Sequence, residues 1–235
     1  GGVVAMAAGV MIEIVTLFAF GGGLFFTLLI YAVVAKKGRV EPLTLLLFGV
    51  VFNSFASAVV TLIKTVVTAE KAQEILFWLV GFISVESTST LILLAIEITI
   101  SFAILFTISS SLNILSLGDD DAMTLGLNVE RVRIIAFAAT AMLVGSAVSV
   151  CGMIGFIGLI TPHIVRRIYG ANHTILLPLS MLYGALLLVV ADTIARASFM
   201  LFTTEIPVGV LSAFLGSPFF IYLLLQRRSN LIRSY

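Results

Sequence analysis

Apolar residues recur along this chain in blocks long enough to cross a bilayer, separated by short polar stretches. A spanning helix needs about 20 apolar residues. Ile14–Ala35 is such a block and ends at Lys36-Lys37-Gly38-Arg39. Leu43–Ile63 is the next, followed by a polar stretch with Lys64, Glu70, Lys71 and Glu74. Within that stretch Ala72–Phe82 is too short to span and carries Trp78, which predicts an interfacial helix. Thr88–Ile108 spans again, before the longest polar segment, Ser109–Arg133. Ile134–Val150 and Ile154–Ile168 form a close pair, and Leu176–Phe199 and Val208–Leu225 complete the set ahead of Arg227-Arg228. Residues 1–12 read as the tail of one more span. The pattern predicts an all-α polytopic membrane protein, a helical bundle with about seven full spans and a partial N-terminal one. All of it forms a single transmembrane domain, residues 1–235.

Composition sharpens that picture. Hydrophobic residues make up 60% of the chain and charged residues 11%, with mean hydropathy +1.21; a soluble domain carries about a quarter charged residues. The net charge of +1 argues against a nucleic-acid partner, which needs a basic surface. A lone cysteine, Cys151, allows no internal disulfide and no thiolate metal site. The chain begins Gly1-Gly2-Val3, without methionine and already in apolar sequence, which reads as a fragment rather than a processed N-terminus.

Charge also sets the orientation. With the Lys36–Arg39 loop in the cytoplasm and the spans alternating, Lys36, Lys37, Arg39, Arg131, Arg133, Arg166, Arg167, Arg227, Arg228 and Arg233 fall inside. Only Lys64, Lys71 and Arg196 of the 13 basic residues fall outside. Inverting the chain or deleting one span breaks this positive-inside bias.

Four stretches carry candidate chemistry. In Gly152–Arg167, GMIGFIGLITPHIVRR, three glycines (Gly152, Gly155, Gly158) remove side chains where backbones approach. Pro162 breaks or bends the helix they begin, and Arg166 and Arg167 mark its exit from lipid. In Ser111–Arg133, Asp119, Asp120 and Asp121 sit just before a short helical run, where negative charge favours the helix N-terminus. Gly126 ends that run, and Asn128 and Glu130 restart the chain. Two short helices joined at a glycine make a cytoplasmic docking surface; a solvated connector is the competing reading. Asp192 and Arg196, at i and i+4, share a helix face near the outer end of a span, as a functional charge or a structural ion pair. Pro207, Gly209, Gly216 and Pro218 suggest a helix with an irregular start and a kinked end, lining a cavity or simply packed.

Other residues offer less. Glu13 and Glu97 are lone carboxylates in or near spans, read as interfacial or hydrogen-bonded rather than as a proton relay. His163 and His173 lack a third ligand at metal-binding spacing. The sequence contains no GxxxxGK[ST], GxSxG or HExxH, and no enzymatic apparatus is expected.

On these residues the chain closely resembles the FecCD-type, BtuC-like permeases, the membrane subunits of ATP-binding-cassette importers for iron siderophores, haem and cobalamin. The matching stretches are LNILSLGDDDAMTLGLNVERVR, GMIGFIGLITPHIVRRIYGANHTILLPLS, GALLLVVADTIAR and EIPVGVLSAFLGSPFFIYLLL. Weaker agreement runs through LTLLLFGVVFNSF and ILFWLVG, so the likeness covers essentially the whole chain.

The resemblance implies a ten-span bundle, of which this chain lacks the first two spans and part of the third. It implies a homodimer in the inner (plasma) membrane of a prokaryote, working with two ATPase subunits and an extracytoplasmic substrate-binding protein. No cofactor is expected on this chain; ATP and Mg belong to the partner ATPase. Residues 109–133 become the cytoplasmic coupling loop, with Asp119, Asp120, Asp121, Ala122, Gly126, Leu127 and Asn128 as the coupling residues seated on the ATPase. Arg196 is expected to face the binding protein and pair with a carboxylate there. Pro42 and Leu43 fall where the family narrows the exit of its pathway, and Leu43–Ile63 and Val208–Leu225 resemble pathway helices. The alternatives are a proton-coupled secondary transporter using Glu97 or Asp192, or a non-functional truncated permease.

Overall fold

The computed structural model describes residues 2–9, 12–35, 42–84, 87–202 and 205–232, and every element among them is an α-helix. In order these are α1 (Gly2–Ala7), α2 (Ile12–Ala35), α3 (Pro42–Val66), α4 (Ala69–Val80), α5 (Thr88–Thr107) and α6 (Ser109–Leu115). Then come α7 (Asp119–Thr124), α8 (Val129–Cys151), α9 (Ile157–Tyr169), α10 (His173–Ala197), α11 (Phe199–Phe202) and α12 (Val208–Ile232). Among the described residues, α3 from Leu46, α5, α8 and α10 are long and apolar enough to cross a membrane. Shorter apolar helices run over Phe18–Thr27 and Val208–Ile221.

Helix α8 packs against both α2 and α5. Its sequence explains that position. Ala141, Gly145 and Ser149 recur every four residues and are all buried, so neighbouring helices approach closely, as association in lipid requires. A Cβ on Gly145 would stand 3.1 Å from the ring of Phe20 on α2. On the adjoining face the Ser146 hydroxyl donates to the carboxylate of Glu97 on α5, at 2.7 Å. The lone mid-span acid therefore has a partner across a helix interface.

Several elements differ from the sequence pattern. Helix α4 is the expected short helix, shifted to Ala69–Val80, with Ile75 buried against Val3, Ala5, Met6 and Val15. The expected span Ile154–Ile168 is α9, whose 13 residues reach about 20 Å, short of the ~30 Å hydrocarbon core. Gly152 closes α8 and residues 152–156 run without helix before α9 begins. The break therefore lies at the glycines, and α9 runs on through Pro162. Helix α12 likewise continues through Pro218. Of the three glycines, only Gly152 makes a close approach; nothing lies within 4 Å of a Cβ on Gly155 or Gly158.

Functional groups collect at opposite ends of the bundle. At one end lie α6, α7, the start of α8 with Arg131 and Arg133, the end of α9 with Arg166 and Arg167, and the start of α10. At the other lie α4 with Lys71, the end of α3 with Lys64, the end of α8, and the Arg196 end of α10. This is the segregation of basic residues that the charge count requires. Lys36, Lys37, Arg39 and Arg233 lie outside the described residues, as do the side chains of Glu13, Arg227 and Arg228.

Candidate functional site

The end that holds α7 is built from a chain reversal that its sequence dictates. Gly118 precedes α7, and Asp119, Asp120 and Asp121 fill the first turn. Gly118, rather than Gly126, joins the two short helices α6 and α7. Helix α7 closes at Gly126, whose φ of +81° puts it in the left-handed region. The Gly126 amide donates to the Met123 carbonyl at 2.9 Å and the Leu127 amide to the Ala122 carbonyl at 3.0 Å. These two bonds make a Schellman closure, in which glycine carries the left-handed residue at least cost. Asn128 then caps α8, its side chain accepting the Arg131 amide at 3.0 Å.

The expected coupling residues are thus contiguous in space, and most have a local structural task. Ala122 is fully buried and anchors α7. Asp119 accepts from Arg133 at 2.6 Å, with both side chains partly buried, which ties the first turn of α7 to the first turns of α8. Asp120 and Asp121 are exposed.

Three apolar neighbours stand out beside them: Leu117 at 63% exposure, Met123 at 47% and Leu125 at 62%. These apolar side chains are exposed within the most polar segment of the chain. Residue-type reasoning about carboxylates and glycines passed over them; their signal is their presence in the least apolar segment of the chain. Beside them a cavity of about 450 Å³ is lined by Asn128, Glu130, Arg131, Ile134 and Ile135.

This end is also latched to α10. The Asn113 side-chain oxygen Oδ1 on α6 accepts from the His173 backbone amide at 2.7 Å and lies 2.8 Å from His173 Nδ1. The Asn113 amide donates to Asn172 at 2.9 Å, while Asn172 caps α10 by accepting from Thr174. His173 is therefore a packing and capping residue. Among the described residues no group of three or more His, Cys, Asp and Glu is placed to hold a metal ion.

At the far end, Arg196 Nε donates to Asp192 at 2.8 Å and Nη2 to the Ile83 carbonyl at 3.0 Å. The arginine side chain keeps 48% of its surface exposed. Guanidinium carries five N–H donors, so the group is both pinned within the chain and open to an external acceptor.

Between the ends, α3 shows a polar stripe. Gly49, Asn53, Ser57, Thr61 and Thr65 recur every four residues and all are exposed, within a helix whose spanning window has no buried residue. Thr61 and Thr65 turn their hydroxyl protons back to the Ser57 and Leu62 carbonyls. An amide near mid-span is costly against lipid and marks a face turned to protein or water. Pro42 and Leu43 open α3 on the backbone, and their side chains lie outside the described residues. Along α12 an open apolar cleft of about 560 Å³ is lined by residues including Gly209, Phe214 and Pro218.

A polytopic helical bundle with an acidic and apolar reversal at one end and an exposed, pinned arginine at the other belongs to the class of multi-pass helical membrane proteins. Comparison with known proteins makes that class specific. The chain belongs to the FecCD transport family, whose profile matches residues 1–226. It is 37% identical over 209 residues to the cobalamin import system permease BtuC of Halobacterium salinarum, covering 89% of this chain and 55% of that protein. It is 36% identical over 213 residues to the Fe(3+)-citrate import system permease YfmD of Bacillus subtilis, covering 91% and 62%. Against the hemin transport system permease HmuU of Yersinia pestis it is 36% identical over 213 residues, covering 90% and 63%. The chain thus spans between 55% and 63% of the lengths of these relatives. A solved metal-chelate type ABC transporter in an inward-facing conformation superposes with a TM-score of 0.87 at 32% identity, over 96% of this chain and 71% of the other. This chain is accordingly a multi-pass membrane protein of an ABC permease family.

Proposed function

We propose that this chain is the membrane-spanning subunit of an ATP-binding-cassette importer that carries an iron chelate, haem or cobalamin into a prokaryotic cytoplasm. In this reading two copies form the passage in the inner membrane. Two ATPase subunits, which hold the ATP and Mg, dock on residues 109–133, and an extracytoplasmic binding protein docks at Arg196. Nucleotide-driven movement of α7 would reach the bundle through the Asp119–Arg133 pair and rock it between outward-open and inward-open states. Pro42 and Leu43 would form the inner gate, with α3 and α12 as the walls of the passage.

The observation that carries this reading is the α7 reversal in a chain of the FecCD family. Asp120, Asp121, Met123 and Leu125 form an exposed patch on a helix fixed by Ala122, the Schellman closure and the Asn128 cap. Replacing Gly126 with leucine tests it. No atom lies within 4 Å of an added Cβ, so the main cost is that of the left-handed backbone, about 1–2 kcal/mol. Membrane insertion should be retained while stimulation of the partner ATPase is lost. Wild-type stimulation and uptake by Gly126→Leu would sink the assignment.

A further inference from the structure

Between α4 and α5, three consecutive residues each bond to a different helix. The Gly81 carbonyl accepts from the Gly209 amide of α12 at 3.3 Å. The Phe82 amide donates to the Cys151 carbonyl at the end of α8, at 3.0 Å. The Ile83 carbonyl accepts from Arg196 of α10 at 3.0 Å.

Steric fit closes the same spot. A Cβ on Gly81 would stand 2.5 Å from the Met153 carbonyl oxygen, one on Gly209 would collide with the Val80 carbonyl, and one on Gly152 with the Trp78 carbonyl. These contacts are backbone against backbone, which cannot yield by a rotamer change. Ala191, Ala195 and Val208 form a buried cluster beside them, with Ile83, Ile154 and Leu211 packed against it.

We infer that Gly81-Phe82-Ile83 is the junction that locks the outer ends of α8, α10 and α12 together, with Arg196 as its positioning residue as well as an exposed charge. Helix α8 runs from this junction to the Arg133–Asp119 pair at the other end, about 34 Å for its 23 residues. Whatever displaces the Arg196 guanidinium is therefore connected by one continuous helix to α7. An external carboxylate that draws Arg196 away from the Ile83 carbonyl acts on the same three helices. Reciprocally, movement of α8 at the α7 end changes how Arg196 is presented.

Only that consequence rests on the proposed docking at Arg196; the junction itself can be tested with no partner present. The experiment is hydrogen exchange with mass spectrometry on the full chain in lipid nanodiscs. In the wild type, the amides of Phe82 and Gly209 should share one opening event and respond in parallel to denaturant. Arg196→Lys keeps the charge but loses the planar fork. It should accelerate exchange at both amides by about tenfold, while peptides over the α7–α8 reversal exchange as before. Asp192→Asn, which leaves the Ile83 bond in place, should leave both amides slow. Independent opening of Phe82 and Gly209 in the wild type, or acceleration confined to the last turn of α10, would overturn the inference. Loss of binding-protein affinity in Arg196→Lys with both amides unchanged would support docking and reject the junction. The opposite pattern, fast amides with unchanged affinity, would keep the junction and reject docking.

Discussion

Gly126 and Gly152 do different work although both have positive φ. Gly126 turns the chain in open space, whereas Gly152 turns it with its Cα against the α4 backbone. Their substitutions should separate accordingly. Gly152→Ala combines a left-handed alanine with a clash against the Trp78 carbonyl and should cost on the order of 2–4 kcal/mol. Gly158→Ala, in the first turn of α9 with no neighbour within 4 Å, should be neutral or gain a few tenths. Unfolding midpoints of the purified proteins in detergent check this, and equal midpoints would show that the close approach at Gly152 contributes nothing. The sequence marks all three glycines of the stretch alike. Only the fold distinguishes them, because the contact at Gly152 comes from α4, more than seventy residues earlier. Asp192 and Arg196 were legible as a pair from their spacing, but the Ile83 carbonyl that completes the arginine's coordination was not.

Element boundaries were legible wherever hydropathy changes abruptly, as at both ends of α5 and at the start of α12. They were obscured where a helix continues past its apolar part. Helix α8 begins at Val129 because Asn128 caps it, so its first turn is charged and hydropathy alone starts the span at Ile134. Helix α9 shows the opposite error: its apolar surroundings simulate a span, while the non-helical residues 152–156 leave only 13 helical residues. The stripe on α3 was also hidden, since Asn53, Ser57, Thr61 and Thr65 are diluted by the apolar residues between them. It yields a prediction at this scale. In a Cys151→Ser background, Asn53→Cys should react with a water-soluble thiol reagent in membranes, and Val51→Cys, about 200° round the helix, should be protected. Equal protection of both positions would mean that the stripe faces lipid or a dry protein interface.

For the whole molecule, α8, packed against α2 and α5, joins the two ends, and the junction inferred at residues 81–83 would link it to Arg196. Glu97 and Asp192, the acids that a proton-coupled mechanism would use, accept hydrogen bonds from Ser146 and Arg196 respectively, which suits a structural role better than exchange with solvent. Membrane residence, helical class and family motifs were all legible in the sequence, because each rests on local composition or on contiguous residues. The latch of Asn113 on His173 and the junction at residues 81–83 were not, because each joins segments distant along the chain. The most direct test of the account is uptake of a labelled iron chelate, haem or cobalamin by proteoliposomes holding this chain with its ATPase subunits and binding protein. Uptake should require ATP and disappear in Gly126→Leu; uptake driven by a proton gradient without the ATPase would contradict the proposed importer role.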